Sequence, residues 1–283
     1  MSMTKQYSLG LYEKSMPDLL SLGEKLLKAK EVGYDFVELS IDETDYRLNR
    51  LTLTPQQLRD LRDEVENSEL PLGSICLSAH RKYPMGSPDF STRQRSLDIM
   101  ERAISFASYM GIPIIQLAGY DVYYESSTEK TKELFIEGLF LATALAARQG
   151  ILLGFETMET PFMNSVLKAM EYVRLVNSPY LQVYPDLGNI VNAAGADNQR
   201  AKEDLYKGRG NLIAAHIKES LPGKFREIEY GTGHVDFPLL LQTCWNLGVR
   251  RFVTEFWHTG SPDWEKQLNE SYAYVNKVFF TKK

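Results

Sequence analysis

The chain has 283 residues, 43% of them hydrophobic, and a net charge of −5 with acidic and basic side chains interspersed. That balance offers no basic face for nucleic acid or an anionic membrane. The length exceeds an average domain but suits one α/β barrel, so a single domain over residues 1–283 is expected. The start, MSMTKQYSLG, has no apolar stretch long enough for a signal peptide, and no later run approaches a membrane span of roughly 20 apolar residues. Cys76 and Cys244 lie far apart in apolar surroundings and read as reduced core residues of a cytoplasmic protein.

Eight short apolar runs read as strands: 7–11, 36–40, 73–77, 114–117, 151–155, 181–184, 213–215 and 251–254. Helical segments fall between them. Leu19, Leu20, Leu26 and Leu27 mark a first apolar face. Thr54-Pro55 opens another helix, with Thr as N-cap and Pro at the first helical position. Ile99, Ala103, Ile104 and Phe106 run to a stop at Gly111, and a long segment, 133–147, ends near Gly150. Segments 166–176 and 238–247 complete the set, with Asp236 as the N-cap of the last. Strand and helix alternate about eight times at the spacing of a (β/α)8 TIM barrel. The alternative is a doubly wound open sheet. Against it, no Gly-x-Gly-x-x-Gly follows the first run.

Four metal-ligand residue types close the last four runs: Glu156, Asp186, His216 and Glu255. On parallel strands they share one carboxyl-terminal rim. Each has a plainer reading alone: Asp186 as a helix N-cap, His216 as a hydrogen-bonded structural histidine. Repetition on four successive strands favours a site for one divalent ion, such as Zn, Mn, Co or Mg.

The strings GFETM, YPDLGN, AHIKES and TEFW, with YGTGHVDF between the last two, resemble the xylose-isomerase-like barrels. The branch they resemble is the L-ribulose-5-phosphate (L-xylulose-5-phosphate) 3-epimerases of pentose and ascorbate breakdown. LGLYEKS, FVELSIDETD, CLSAHRKYPMGS and IQLAGYDVYY fit the same pattern, so the resemblance spans nearly the whole chain. It implies that Glu156, Asp186, His216 and Glu255 hold the metal and that Glu156 and Glu255 are also the acid–base pair. Relatives that epimerise free ketoses carry a His three residues after the metal Asp and an Arg six after the metal His. Here those positions are Asn189 and Pro222, which favours a phosphosugar substrate.

Epimerisation at C3 of a 2-ketose requires proton removal on one face and return on the other. His80, Arg81, Lys218 and Arg226 are the cations available for a phosphate. Glu159 and His258 each follow a candidate ligand Glu by three residues. Tyr12, Glu13, Tyr120 and Trp257 are further candidates for the mouth. Competing readings are a hydroxypyruvate-isomerase-like or other aldose–ketose isomerase, a free-sugar 3-epimerase, an endonuclease-IV-type hydrolase, and a sugar-sensing barrel without catalysis. Four histidines and an acidic balance argue against the hydrolase. The oligomeric state stays open, with a homodimer as the candidate assembly.

Overall fold

The computed structural model describes residues 6–280. Its elements in chain order are strand β1 (Ser8–Tyr12), helix α1 (Leu22–Val32), β2 (Phe36–Ile41), α2 (Asp45–Leu48), α3 (Pro55–Ser68), β3 (Leu72–Leu77), α4 (Phe90–Met110), β4 (Ile114–Ala118), α5 (Glu129–Gln149), β5 (Leu152–Glu156), α6 (Val166–Val176), β6 (Leu181–Tyr184), α7 (Leu187–Ala193), α8 (Asn198–Lys207), β7 (Ala215–Ile217), α9 (Phe237–Asn246), β8 (Arg251–Thr254) and α10 (Trp264–Phe280). The strands form one eight-stranded parallel sheet in the order β6-β5-β4-β3-β2-β1-β8-β7. Strands follow one another around the sheet in chain order, β1 pairs with β8, and the end strands β6 and β7 meet through isolated bridges, so the sheet closes as a TIM barrel and the open doubly wound arrangement does not apply.

Closure between β6 and β7 rests on isolated bridges, Val183↔Leu212 and Asp186↔His216. Pro185 sits in this seam and has no N–H to donate, which interrupts the ladder. The run expected at 213–215 accordingly becomes a strand only at Ala215, where pairing with Phe252 of β8 begins. His216 therefore lies inside β7 rather than just beyond it.

The helix signals act locally as their chemistry requires. Ser21 and Glu24 form a capping box that starts α1 at Leu22. Leu19 and Leu20 precede that helix, and Leu19 is almost wholly exposed, so they are not part of an apolar helical face. Thr54 caps α3 with Pro55 at its first position, and Gly111 and Gly150 end α4 and α5 in the left-handed conformation. Asp236 accepts the Leu239 N–H at 2.9 Å and caps α9.

Period-two alternation sorts the strand side chains into two cores. Val37, Leu39 and Ile41 of β2 point outward into the helix layer. Phe36 points inward with Ile114 and Val253 and closes the barrel floor, and Cys76 and Tyr184 belong to the same inner cluster. The Phe36 ring needs space that only glycine leaves: a Cβ at Gly10 or Gly73 would collide with it. The interior above this floor is polar, and that layer carries the site.

Beside the rim, Glu13 turns away from the mouth into a buried ion-pair network. It accepts hydrogen bonds from Arg47 and from Arg50 (2.6 and 2.7 Å), and Lys25 approaches to 3.3 Å. Burial pushes the Glu13 carboxyl up, but Arg50, Arg47 and Lys25 together outweigh it and bring it down to about 2. Its unfolded value is about 4.3. The ionised form therefore favours the fold, fully above the unfolded value and less as pH falls toward 2. We expect Glu13→Gln to cost about 3–5 kcal/mol at neutral pH by stranding its cations. The variant should also lose less stability than wild type between roughly pH 5 and pH 2. Denaturant unfolding at stepped pH checks this, and equal acid slopes would contradict it.

Candidate metal centre and substrate pocket

Glu156 ends β5, His216 lies within β7, and Glu255 follows β8 directly. Asp186 stands two residues beyond β6, at the start of α7. All four are buried, and one potential ligand atom from each lies within 4.8 Å of every other. His216 Nδ1 is 3.1 Å from Glu255 Oε2, 3.4 Å from Glu156 Oε1 and 4.0 Å from Asp186 Oδ2.

The two oxygens of Asp186 have different surroundings. Its Oδ1 accepts the Asn189 N–H at 2.8 Å and caps α7. Its Oδ2 is buried without an aligned hydrogen bond, as is Glu255 Oε2. Lys218 Nζ lies 2.5 Å from Asp186 Oδ2 and 3.3 Å from Glu255 Oε2, giving charge contact rather than a directed bond. Two buried carboxylate oxygens without an aligned hydrogen bond, beside an imidazole nitrogen, fit a divalent ion of mixed oxygen and nitrogen preference.

The electrostatics follow from crowding. Burial and the neighbouring Glu255 push the Glu156 carboxyl up. Burial also acts upward on Glu255, but Lys218 and His216 hold it well below the usual carboxylate range. Lys218 stays charged, since Asp186 and Glu255 more than offset its burial. The two glutamates are thus driven in opposite directions.

A pocket opens above this cluster. Glu156, Glu255 and Lys218 form its base, and Tyr12, Tyr120 and Trp257 line its wall. Arg81, Arg226 and Glu159 also line it. The Arg226 guanidinium lies 5.0 Å from the Trp257 ring centroid, and Arg81 lies 4.7 Å from that of Tyr123 while donating to the Tyr120 hydroxyl at 3.0 Å. Neither arginine pairs with a carboxylate among the described residues. Glu159 accepts the Tyr123 hydroxyl at 3.2 Å.

Other candidates have different places. His80 is 2% exposed, contacts the Ser96 carbonyl at 3.1 Å, and burial lowers its imidazole to about 4. It is neutral near pH 7 and does not line the pocket, so it is not placed to offer a phosphate a charge. Asn189 is buried and donates to the Thr157 carbonyl at 2.7 Å, tying α7 to the chain after β5. It holds Asp186 in position rather than facing the pocket. His258 lies outside, its N–H on the Lys14 carbonyl at 2.8 Å.

Glu38 was missed by sequence reasoning. It is fully buried on β2, with Oε1 2.6 Å from His216 Nε2. The available signal was a lone acidic residue in the apolar run Phe-Val-Glu-Leu-Ser.

Comparison with known proteins agrees with this architecture. Residues 26–278 match the family described as xylose isomerase-like TIM barrel. The chain is 40% identical over 262 residues to the L-ribulose-5-phosphate 3-epimerase UlaE of Escherichia coli (strain SMS-3-5 / SECEC), covering 92% of this chain and 91% of that one. It is 41% identical over 256 residues to the UlaE of Salmonella heidelberg (strain SL476), covering 90% and 89%. The crystal structure of D-allulose 3-epimerase from Methylomonas sp. superposes with a TM-score of 0.78 over 97% of this chain and 98% of that one, at 16% identity. This chain belongs to the xylose-isomerase-like TIM-barrel family and, within it, to the L-ribulose-5-phosphate 3-epimerase group.

Proposed function

We propose that this protein is a single-domain, metal-dependent 3-epimerase that interconverts L-ribulose 5-phosphate and L-xylulose 5-phosphate. The observation that carries this reading is the 40% identity with E. coli UlaE over 92% of the chain. The buried cluster of Glu156, Asp186, His216 and Glu255 supports the chemistry. Zinc, manganese, cobalt and magnesium are the candidate ions for this donor set. Two buried free thiols agree with a cytoplasmic place in pentose or ascorbate breakdown.

The four residues would hold the ion, which supplies positive charge where negative charge develops on the oxygens of the reacting ketose. Glu156 and Glu255 come from separate strands, which suits removal of the C3 proton on one face and return of a proton on the other. In the reverse direction the roles exchange. Lys218 stays cationic at the pocket base and offers its ammonium to a substrate oxygen. Arg81 and Arg226 are pocket cations without carboxylate partners, which suits them to the substrate phosphate. Glu159, hydrogen-bonded to Tyr123, faces the same end and orders that wall.

Two outcomes test this reading. Purified wild type should carry one divalent ion per chain by elemental analysis, and His216→Ala should carry far less. Equal content would remove the cluster as the metal site. The phosphate should also decide substrate choice. Wild type should act far more efficiently on L-xylulose 5-phosphate than on L-xylulose. Arg226→Ala should lower kcat/KM for the phosphosugar roughly 10- to 100-fold, the worth of hydrogen bonds to a charged group, with little effect on the free sugar. Comparable efficiency on both sugars in wild type would contradict a phosphosugar enzyme.

A further inference from the structure

Glu38 is an expensive residue for a barrel interior. It has no solvent exposure, and neither Lys nor Arg forms a salt bridge with it among the described residues. A buried carboxylate costs folding energy unless donors surround it. Three do. Ser74 Oγ donates to Glu38 Oε2 at 2.6 Å and the Tyr184 hydroxyl donates to the same oxygen at 2.9 Å. Oε1 faces His216 Nε2 at 2.6 Å. These partners come from β3, β6 and β7, so the carboxylate ties three strands at one level inside the barrel.

An apolar side chain would fill this volume at lower cost. What it would not do is select a state of His216. Carboxylates face both ring nitrogens, so without a metal both can carry protons; once an ion takes Nδ1, Glu38 holds the remaining proton on Nε2 and fixes the ligating tautomer. Nδ1 points at Glu156, Asp186 and Glu255, and Gln116 Nε2 lies 3.4 Å from it as a donor. Tyr184 also sets the ring plane, packing edge-on with centroids 4.9 Å apart.

We propose that Glu38 is a positioning residue that fixes the orientation and tautomer of His216 and so sets the metal affinity of the centre, with Ser74 and Tyr184 holding Glu38 in turn. The inference rests on the proposed metal site but not on the identity of the sugar.

The test is zinc binding by the full-length protein without substrate, measured in competition with a chelator. Glu38→Ala should weaken zinc binding by about 10–100-fold, the usual effect of removing a partner of a ligating histidine. Glu38→Gln keeps an acceptor but not the charge and should lose less. Tyr184→Phe should weaken binding mildly, and it decides together with Glu38→Gln if Glu38→Ala does not fold. In the zinc-loaded wild type, 15N NMR of His216 should show a slowly exchanging proton on Nε2, lost or fast-exchanging in Glu38→Ala. Folded Glu38 variants that bind zinc as wild type does would overturn the inference. So would a His216 proton on Nδ1. Failure of wild type to bind zinc, manganese or cobalt would instead refute the metal site itself.

Discussion

Three carboxylates crowd within a few ångströms of one another at the mouth of this barrel, largely shielded from bulk water. Their mutual repulsion is the constraint around which the surrounding residues are arranged. Lys218 answers part of it, resting against Asp186 and Glu255. His216 turns Nδ1 toward all three as a further ligand atom. A divalent ion is the remaining positive charge that the donor set suits. The same crowding separates the two glutamates, since Lys218 and His216 favour ionised Glu255 while Glu156 is pushed upward.

The barrel makes this crowding possible. Strand ends converge on one rim, so side chains from β5 to β8 meet without any long connecting structure. The interior is graded from floor to mouth. Phe36, Ile114 and Val253 close the bottom. Glu38, Ser74 and Tyr184 form a polar level that meets His216, and His216 joins it to the three carboxylates of the candidate metal site. Each level restrains the next: the aromatic floor supports Tyr184, Tyr184 and Ser74 hold Glu38, and Glu38 holds His216.

Much of this was legible in the sequence, because the signals were local and chemical. Apolar runs bounded by helix caps located the strands within a few residues, and Thr54-Pro55, Gly111 and Gly150 marked helix ends by backbone chemistry alone. The β7 boundary was not legible, because Pro185 breaks pairing on the neighbouring strand, a tertiary effect. Leu19 and Leu20 mimicked a helical face until Ser21 capped the chain after them. At the site, repeated strand-end ligands pointed to a group that the fold does bring together. Histidine type alone did not separate His80, buried against α4, from His216. Charge type alone did not separate Glu13, neutralised by three cations, from the glutamates at the mouth. Glu38 was hidden because its meaning depends on the histidine it faces, 178 positions away.

The central claim is that proton transfer takes place at C3 of a pentulose 5-phosphate. The most direct measurement is proton NMR of L-ribulose 5-phosphate incubated in D2O with the metal-loaded enzyme. L-xylulose 5-phosphate should appear with deuterium at C3, and the C1 protons should keep their full intensity. Deuterium entering at C1 would identify an aldose–ketose isomerase. Epimer formed with the C3 proton fully retained from substrate, in either direction, would contradict a mechanism with two carboxylates acting on opposite faces.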